Sequence, residues 1–328
     1  MKQWEDKRFF LKEEDYLGYR TTMGEIFRRD HYEEDYLTGA DGTRLHYYRI
    51  PHMRPQAVIV ISHGFCEFVH KYEEMIEYYH RLGYVVYYLD HRGHGFSERT
   101  VEAMDLVHVK HWQDYVSDLG IFLRDVVRKE NPDRRVFLFG HSMGGAIAAA
   151  VLEREPGLVD AAVLSSPMME MSVGKHKPWF VKALTGFCCL TGRGTQMGPG
   201  NRGFDGKPVY ETSSAQSKAR YDYFFDWRLR VPEYTTYGGS NSWIREALRL
   251  GDYVRKHADR VQVPVLLWQA GQDSLVVPAG QELFAERSAQ TRLVRFDRSK
   301  HEIFNAFEDE RLAYYGIVFH FLEEQVNA

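Results

Sequence analysis

Val136-Phe-Leu-Phe-Gly-His-Ser-Met-Gly-Gly-Ala-Ile-Ala-Ala-Ala150 is the stretch whose reading decides the fold. Bulky apolar residues from Val136 to Phe139 meet Gly140-His-Ser-Met-Gly144, and small residues follow. The pattern predicts a strand buried on both faces, passing into a helix packed tightly on the sheet. Between them the chain must reverse so sharply that the middle residue takes a strained backbone conformation. Gly140 and Gly144 remove side-chain bulk where strand and helix approach. Such a turn holds the Ser142 hydroxyl above the strand ends, with the Met143 N–H aimed at the same space and a helix N-terminus behind it. A bare Gly-x-Ser-x-Gly also occurs by chance in loops, but the strand before it and the helix after it set this one apart. Ser142 is the candidate nucleophile.

The same rhythm extends in both directions. Glu33 to Leu37 and Arg44 to Ile50 flank Gly39-Ala-Asp-Gly42 and predict an antiparallel hairpin. Ala57 to Ile61 and Tyr84 to Leu89 predict buried strands, with a helix over Tyr72 to Leu82 between them. From His111 to Lys129 the positions Trp112, Tyr115, Val116, Leu119, Leu123, Val126 and Val127 form a helical stripe, which puts Asp114, Asp118 and Asp125 on its solvated side. Ala161 to Leu164 is the next strand. Between Met168 and about Lys256 the alternation stops, and Gly-rich patches, aromatic clusters and amphipathic segments replace it. It resumes with a strand at Val263 to Gln269, a helix at Pro278 to Arg287, a strand at Arg292 to Phe296 and a last helix at Ala306 to Glu324. Steady alternation means a parallel sheet covered on both faces. The division expected is a core over 1–167, an insertion over 168–256 that covers the site, and the rest of the core over 257–328.

A serine hydroxyl needs a base to take its proton, and the base needs an orienting carboxylate. In this layout the acid and the histidine each follow a later strand, in that order. Asp273, in Gly271-Gln-Asp-Ser-Leu275, and His301, in Ser299-Lys-His-Glu302, meet that expectation. Glu170 is a rival for the acid. His141 and His63 flank the site but stand on the nucleophile turn and on the loop after Ile61, poor positions for a base. The tetrahedral intermediate needs two N–H donors; Met143 and, from His63-Gly-Phe65, Phe65 are the candidates, with His63 bracing the loop. Asp90-His-Arg-Gly-His-Gly95 with His108 and His111 offers imidazoles, but no thiolate or carboxylate cluster completes a metal site. It predicts a tight loop whose Asp and Arg tie strand ends together.

Bulk properties narrow the class. The 328 residues are 44% hydrophobic with a net charge of −4, and no dense Lys/Arg tract points to nucleic acid. The N-terminal stretch is charged and lacks a signal-peptide core, no apolar run reaches the length of a bilayer helix, and the three cysteines, two of them adjacent, form no disulfide framework. A cytoplasmic setting follows, with no obligate protein partner indicated. Trp179 to Leu190 is the one apolar segment suited to lipid contact, either as a greasy lid face or packed on the sheet edge.

The chain resembles serine hydrolases of the α/β-hydrolase fold, and more narrowly the bacterial lysophospholipase L2 and monoacylglycerol lipase family. The resemblance rests on His63-Gly-Phe65, Lys71-Tyr72, Asp90-His-Arg-Gly-His-Gly-Phe-Ser97, Trp112-Gln-Asp-Tyr-Val-Ser-Asp-Leu119, Gly140-His-Ser-Met-Gly-Gly-Ala146, Gly238-Gly-Ser-Asn-Ser-Trp-Ile-Arg-Glu246 and Lys300-His-Glu-Ile303. It implies an α/β fold with a mostly parallel eight-stranded sheet, helices on both faces and a mainly helical lid inserted between two strands. It implies hydrolysis of a lipid carboxylic ester without a cofactor or metal: Ser142 as nucleophile, His301 as base then acid, Asp273 as its carboxylate, Phe65 and Met143 as oxyanion donors. A lysophospholipid is the expected substrate, with monoacylglycerol, a general carboxylester or a thioester as alternatives, an aminopeptidase sharing the same triad, and a non-catalytic ligand-binding homologue as the contrasting reading. Transient membrane-surface contact, at the inner face of the membrane, is expected through the lid. Phe65 is bulkier than the small residue monoacylglycerol lipases tend to carry there.

Overall fold

The computed structural model describes residues 2–328; Met1, the first residue of the expected core, lies outside them. After two short 3-10 turns come α1 (Tyr16–Arg20), α2 (Met23–His31), β1 (Glu33–Thr38), β2 (Arg44–Ile50), β3 (Ala57–Ser62), α3 (Glu73–Arg81), β4 (Tyr84–Leu89) and β5 (Leu106–Val107). Next are α4 (Trp112–Phe122), α5 (Arg128–Glu130), β6 (Val136–His141), α6 (Ser142–Arg154) and β7 (Ala161–Ser165). The remainder is α7 (Pro178–Leu190), α8 (Lys218–Arg230), β8 (Gly238–Gly239), α9 (Asn241–His257), β9 (Val265–Ala270), α10 (Pro278–Arg287), β10 (Thr291–Phe296) and α11 (Glu308–Val326). The helix expected over His111 to Lys129 is α4 and α5 joined by a π-helical turn at Leu123–Val127, which still buries Leu123 and Val127.

Eight strands form one sheet in the order β1-β2-β4-β3-β6-β7-β9-β10, and every neighbouring pair is parallel except the two made by β2. The chain thus has the expected α/β-hydrolase architecture. All six residues of β3, β4, β6 and β9 are buried, as unbroken apolar runs at a sheet centre require. Alternate residues feed two cores. Val58 and Val60 share one core with Tyr115, Leu119, Ala146, Ile147, Val254 and Phe284 on one face. Ala57, Ile59 and Ile61 meet Met75, Ile76, Tyr314, Val318 and Leu322, with Phe9 and Phe10 from the chain start, on the other. β10 closes one edge, and its outward Arg292 and Arg295 are charges that deter edge-to-edge pairing.

Three features differ from expectation or escaped it. Asp118 is not on a solvated face: it is fully buried, and its carboxylate accepts from Arg92 Nε at 2.6 Å and Nη2 at 2.8 Å. At helical spacing from Tyr115 and Phe122 it sits inside the apolar stripe, where only the bidentate Arg92 partner makes a carboxylate tolerable. That bond ties helix α4, rather than the strand end expected for this arginine, to the loop after β4. Second, β5 and β8 pair in parallel as a separate ribbon, each too short to leave a periodic signal. Third, α9, at the end of the irregular block, buries Trp243, Ala247, Leu250 and Val254 in the same core as α6.

The N-terminal arm and α8 are fastened to the body by a charge cluster. Glu13 accepts from Ser217 Oγ (2.6 Å), the Ala219 N–H (2.9 Å) and Arg220 Nη1 (2.9 Å). Arg220 also donates to both oxygens of Glu74 at 2.7 Å, and Arg311 from α11 reaches Glu74 at 3.1 Å. Arg220 and Glu74 are both buried. Breaking one member of a buried set strands the others without a counter-charge. Arg220→Met is therefore expected to lower unfolding free energy by about 3–5 kcal/mol in urea titration.

Candidate active site

Ser142 is the first residue of α6 and has φ +52°, a left-handed backbone that a non-glycine residue adopts only under constraint. The constraint is visible at the two flanking glycines. A Cβ on Gly144 would lie 2.2 Å from the Ser62 carbonyl oxygen and 2.4 Å from that of His63; one on Gly140 would lie 2.8 Å from the Gly144 carbonyl oxygen. Strand β6, helix α6 and the end of β3 therefore press backbone against backbone, and the serine is forced out at the crest. It lines a cavity of about 620 Å³ together with Phe65, Met168, Val181, Trp243, Ile244 and Leu275.

Asp273 and His301, far apart in sequence, come together: His301 Nδ1 lies 2.6 Å from Asp273 Oδ2. The other carboxylate oxygen accepts the N–H groups of Leu275 (2.8 Å) and Val276 (3.1 Å). Burial pushes the Asp273 carboxyl up, but His301 and those backbone donors outweigh it and hold the group below its ordinary range. Gln272 N–H donates to the Ser299 carbonyl at 3.0 Å, fastening the acid's loop to the histidine's loop. His301 Nε2 is buried and has no partner among the described residues. The His301 ring lies 4.8 Å, centroid to centroid, from that of His141, the residue before Ser142. Glu170 pairs instead with Arg255, at 3.6 Å.

The flanking histidines are structural. His141 Nδ1 donates to the Ser165 carbonyl at 3.0 Å, and burial lowers the imidazole to about 3, so it is neutral. His63 Nδ1 donates to Gly64 O at 2.7 Å, while its Nε2 accepts the His91 N–H at 3.0 Å, which braces the loop after β3. In that loop the Gly64 and Cys66 N–H groups go to Glu67 (2.6 Å) and His94 (3.1 Å). The Phe65 N–H between them meets no acceptor among the described residues. Met143 is the second residue of α6, a position whose N–H has no intrahelical acceptor. The Phe65 ring stacks on Trp243 at 3.9 Å and forms part of the cavity wall. Desolvation raises the buried Cys66 thiol, which makes it inert as a nucleophile.

Fold and site together define a hydrolase of the α/β-hydrolase class. Residues 53–309 match the family described as serine aminopeptidase, S33, and the chain belongs to that family. It is 29% identical over 279 residues to lysophospholipase L2 of Escherichia coli strain K12, covering 81% of this chain and 78% of that one. It is 28% identical over 281 residues to a monoacylglycerol lipase of Mycolicibacterium smegmatis, covering 84% and 92% respectively. A solved monoglyceride lipase of Saccharomyces cerevisiae superposes with a TM-score of 0.70 at 18% identity, covering 90% of this chain and 95% of that one.

Sequence reasoning did not find the cavity wall. Met168, Val181 on α7, and Trp243 and Ile244 on α9 come from separate segments of the irregular block, and no periodicity marks side chains that converge only when those segments pack together. It also passed over Glu67 and Glu302, whose i+4 and i+1 spacing to Lys71 and His301 carries no chemical signature by itself.

Proposed function

We propose that this protein is a serine esterase of lipids, acting most directly as a lysophospholipase. Ser142 Oγ attacks the ester carbonyl while His301 Nε2 takes its proton, and Asp273 holds the imidazole through Nδ1 and stabilises the imidazolium. The Phe65 and Met143 N–H groups receive the oxyanion. Collapse breaks the C–O bond to the glycerophospho alcohol, which leaves with the proton from His301. Water, deprotonated by His301, then hydrolyses the acyl-Ser142 ester and frees the fatty acid. The cycle needs no cofactor.

The observation that carries the substrate class is the lining of the cavity. Its wall is apolar beside Ser142, its exposed side holds Lys175 and His176, and no carboxylate lines it among the described residues. An apolar chamber accepts an acyl chain. Lys175 is exposed where it lines the cavity, so it is available to an anionic phosphate. An aminopeptide substrate would ask for an acidic partner to its α-ammonium, which this lining lacks. A monoacylglycerol fits the chamber but makes no use of the cation, which favours it less.

The cover of the site is the segment from 168 to about 240, with α9 assigned to the core. On α7, Trp179, Phe180, Leu184, Phe187 and Leu190 are exposed while Val181 and Thr185 face inward. Such an apolar face, with Lys175 and Lys177 beside it, supports transient contact with a membrane surface. No helix of the described residues is long and apolar enough to cross a membrane. The free Cys66, Cys188 and Cys189 support a reducing, cytoplasmic location at its inner face.

Rates on a lysophospholipid and a monoacylglycerol of equal chain length, supplied as monomers, test this reading. Lys175→Glu is expected to lower kcat/KM for the lysophospholipid by about tenfold or more, the worth of one charge-assisted contact. The monoacylglycerol should stay within about twofold, having no phosphate to lose. A wild-type protein that cleaves neither substrate would refute the lipid-esterase reading; equal effects on both would refute the phosphate contact.

A further inference from the structure

Outside the site, a buried ammonium lies between two carboxylates. Lys71, at the end of a 3-10 turn (Val69–Lys71) before α3, donates to Glu67 Oε1 and to Glu302 Oε1, both at 2.6 Å. All three side chains are more than nine-tenths buried. Glu67 spends its second oxygen on the Gly64 N–H at 2.6 Å and on the Tyr72 hydroxyl, so it grips the loop one residue from Phe65. Glu302 directly follows His301, and its second oxygen accepts Asn305 Nδ2 at 3.0 Å. Glu67 Oε1 also lies 3.6 Å from Nε2 of His141, whose ring packs on His301.

We propose that Lys71 is a positioning residue of this site: it couples the loop that presents the Phe65 N–H to the loop that presents His301. The proposal rests on the roles given above to Phe65, Ser142 and His301. A buried ion triad is a poor source of stability, because desolvation offsets its attraction and apolar side chains of like size serve as well. What apolar packing does not supply is direction. Two charge-assisted bonds at 2.6 Å from one nitrogen fix the separation of the two loops to a few tenths of an ångström, the tolerance that an oxyanion donor and a base demand. Lys71 also lies 4.9 Å from the Phe224 ring of α8, so the cover keeps water from the triad. Burial opposes the charged form of Glu67, but Lys71 and the Tyr72 hydroxyl overcome it and hold the carboxyl below its ordinary range.

The test is steady-state kinetics per active site, with competent sites counted by fluorophosphonate titration so that unfolded molecules drop out. Lys71→Met is expected to lower kcat about ten- to hundredfold with KM within about twofold, the signature of geometry lost in the transition state. Lys71→Arg should recover most of kcat, since it restores both ion pairs. Glu302→Gln, which keeps shape and leaves the Glu67 pair intact, should lower kcat about fivefold, less than Lys71→Met, again with little change in KM. Full kcat per titrated site in Lys71→Met, or in Glu302→Gln should Lys71→Met not fold, would overturn the coupling role and leave the esterase reading standing. A loss in Lys71→Met that arginine does not restore would also overturn it. A wild-type protein that takes no label at Ser142 would overturn both.

Discussion

Ser142→Ala is expected to lower kcat for ester hydrolysis by about 10⁶-fold and to abolish fluorophosphonate labelling. The effect is large because, in the proposed mechanism, the hydroxyl oxygen forms the acyl bond and no neighbour can replace it. Cys66 is the one buried thiol near the loop, and desolvation keeps it protonated. His141 is held by the Ser165 carbonyl. Stability should barely change, because the strain at φ +52° belongs to the backbone turn and alanine shares it. Progress curves with a chromogenic ester, alongside thermal melts, check both halves; undiminished turnover in a folded variant would move the nucleophile elsewhere.

The second large effect is at Asp273, where Asp273→Asn should lower kcat by about 10⁴-fold while the fold persists. The reason lies in the two sides of the carboxylate. Oδ1 accepts the Leu275 and Val276 N–H groups, so an asparagine would keep its carbonyl oxygen there. Its NH₂ would then face His301 Nδ1 and force that nitrogen to accept. A neutral imidazole accepting at Nδ1 carries its proton on Nε2, which leaves no lone pair for the serine proton. The imidazolium also loses its counter-charge. Kinetics at high pH separate the two causes, since a wrong tautomer is not corrected by added base. An Asp273→Asn variant with wild-type turnover would assign the acid to another side chain, with Glu170 held away by Arg255.

Much of this was legible before any coordinates. Strands β3, β4, β6, β7 and β9 are unbroken apolar runs, and such runs separated by helical stripes have one economical arrangement. The strand-to-helix turn at Ser142 was legible because its glycines answer a local steric demand: a Cβ at Gly140 or Gly144 would lie within 3 Å of neighbouring backbone. Asp273 and His301 were legible because each follows a strand, and strand ends share one rim of a parallel sheet. Asp118 was misread because a carboxylate on a helix ordinarily faces water, and its Arg92 partner lies 26 residues away. The β5–β8 ribbon, two residues per strand, is shorter than any period that could announce it.

What the chain determined unaided is therefore whatever depends on near neighbours: the buried strands, the crest that exposes Ser142, the order of the three candidate groups. Tertiary structure alone decided what depends on convergence. It brought Asp273 against His301, assembled the cavity from Phe65, Met168 and Trp243, drew α9 into the core, and set Lys71 between Glu67 and Glu302. Those pairings span up to 231 residues. Apolar periodicity encodes only which face of an element is buried, whereas charge partnerships and cavity walls arise when separate faces meet.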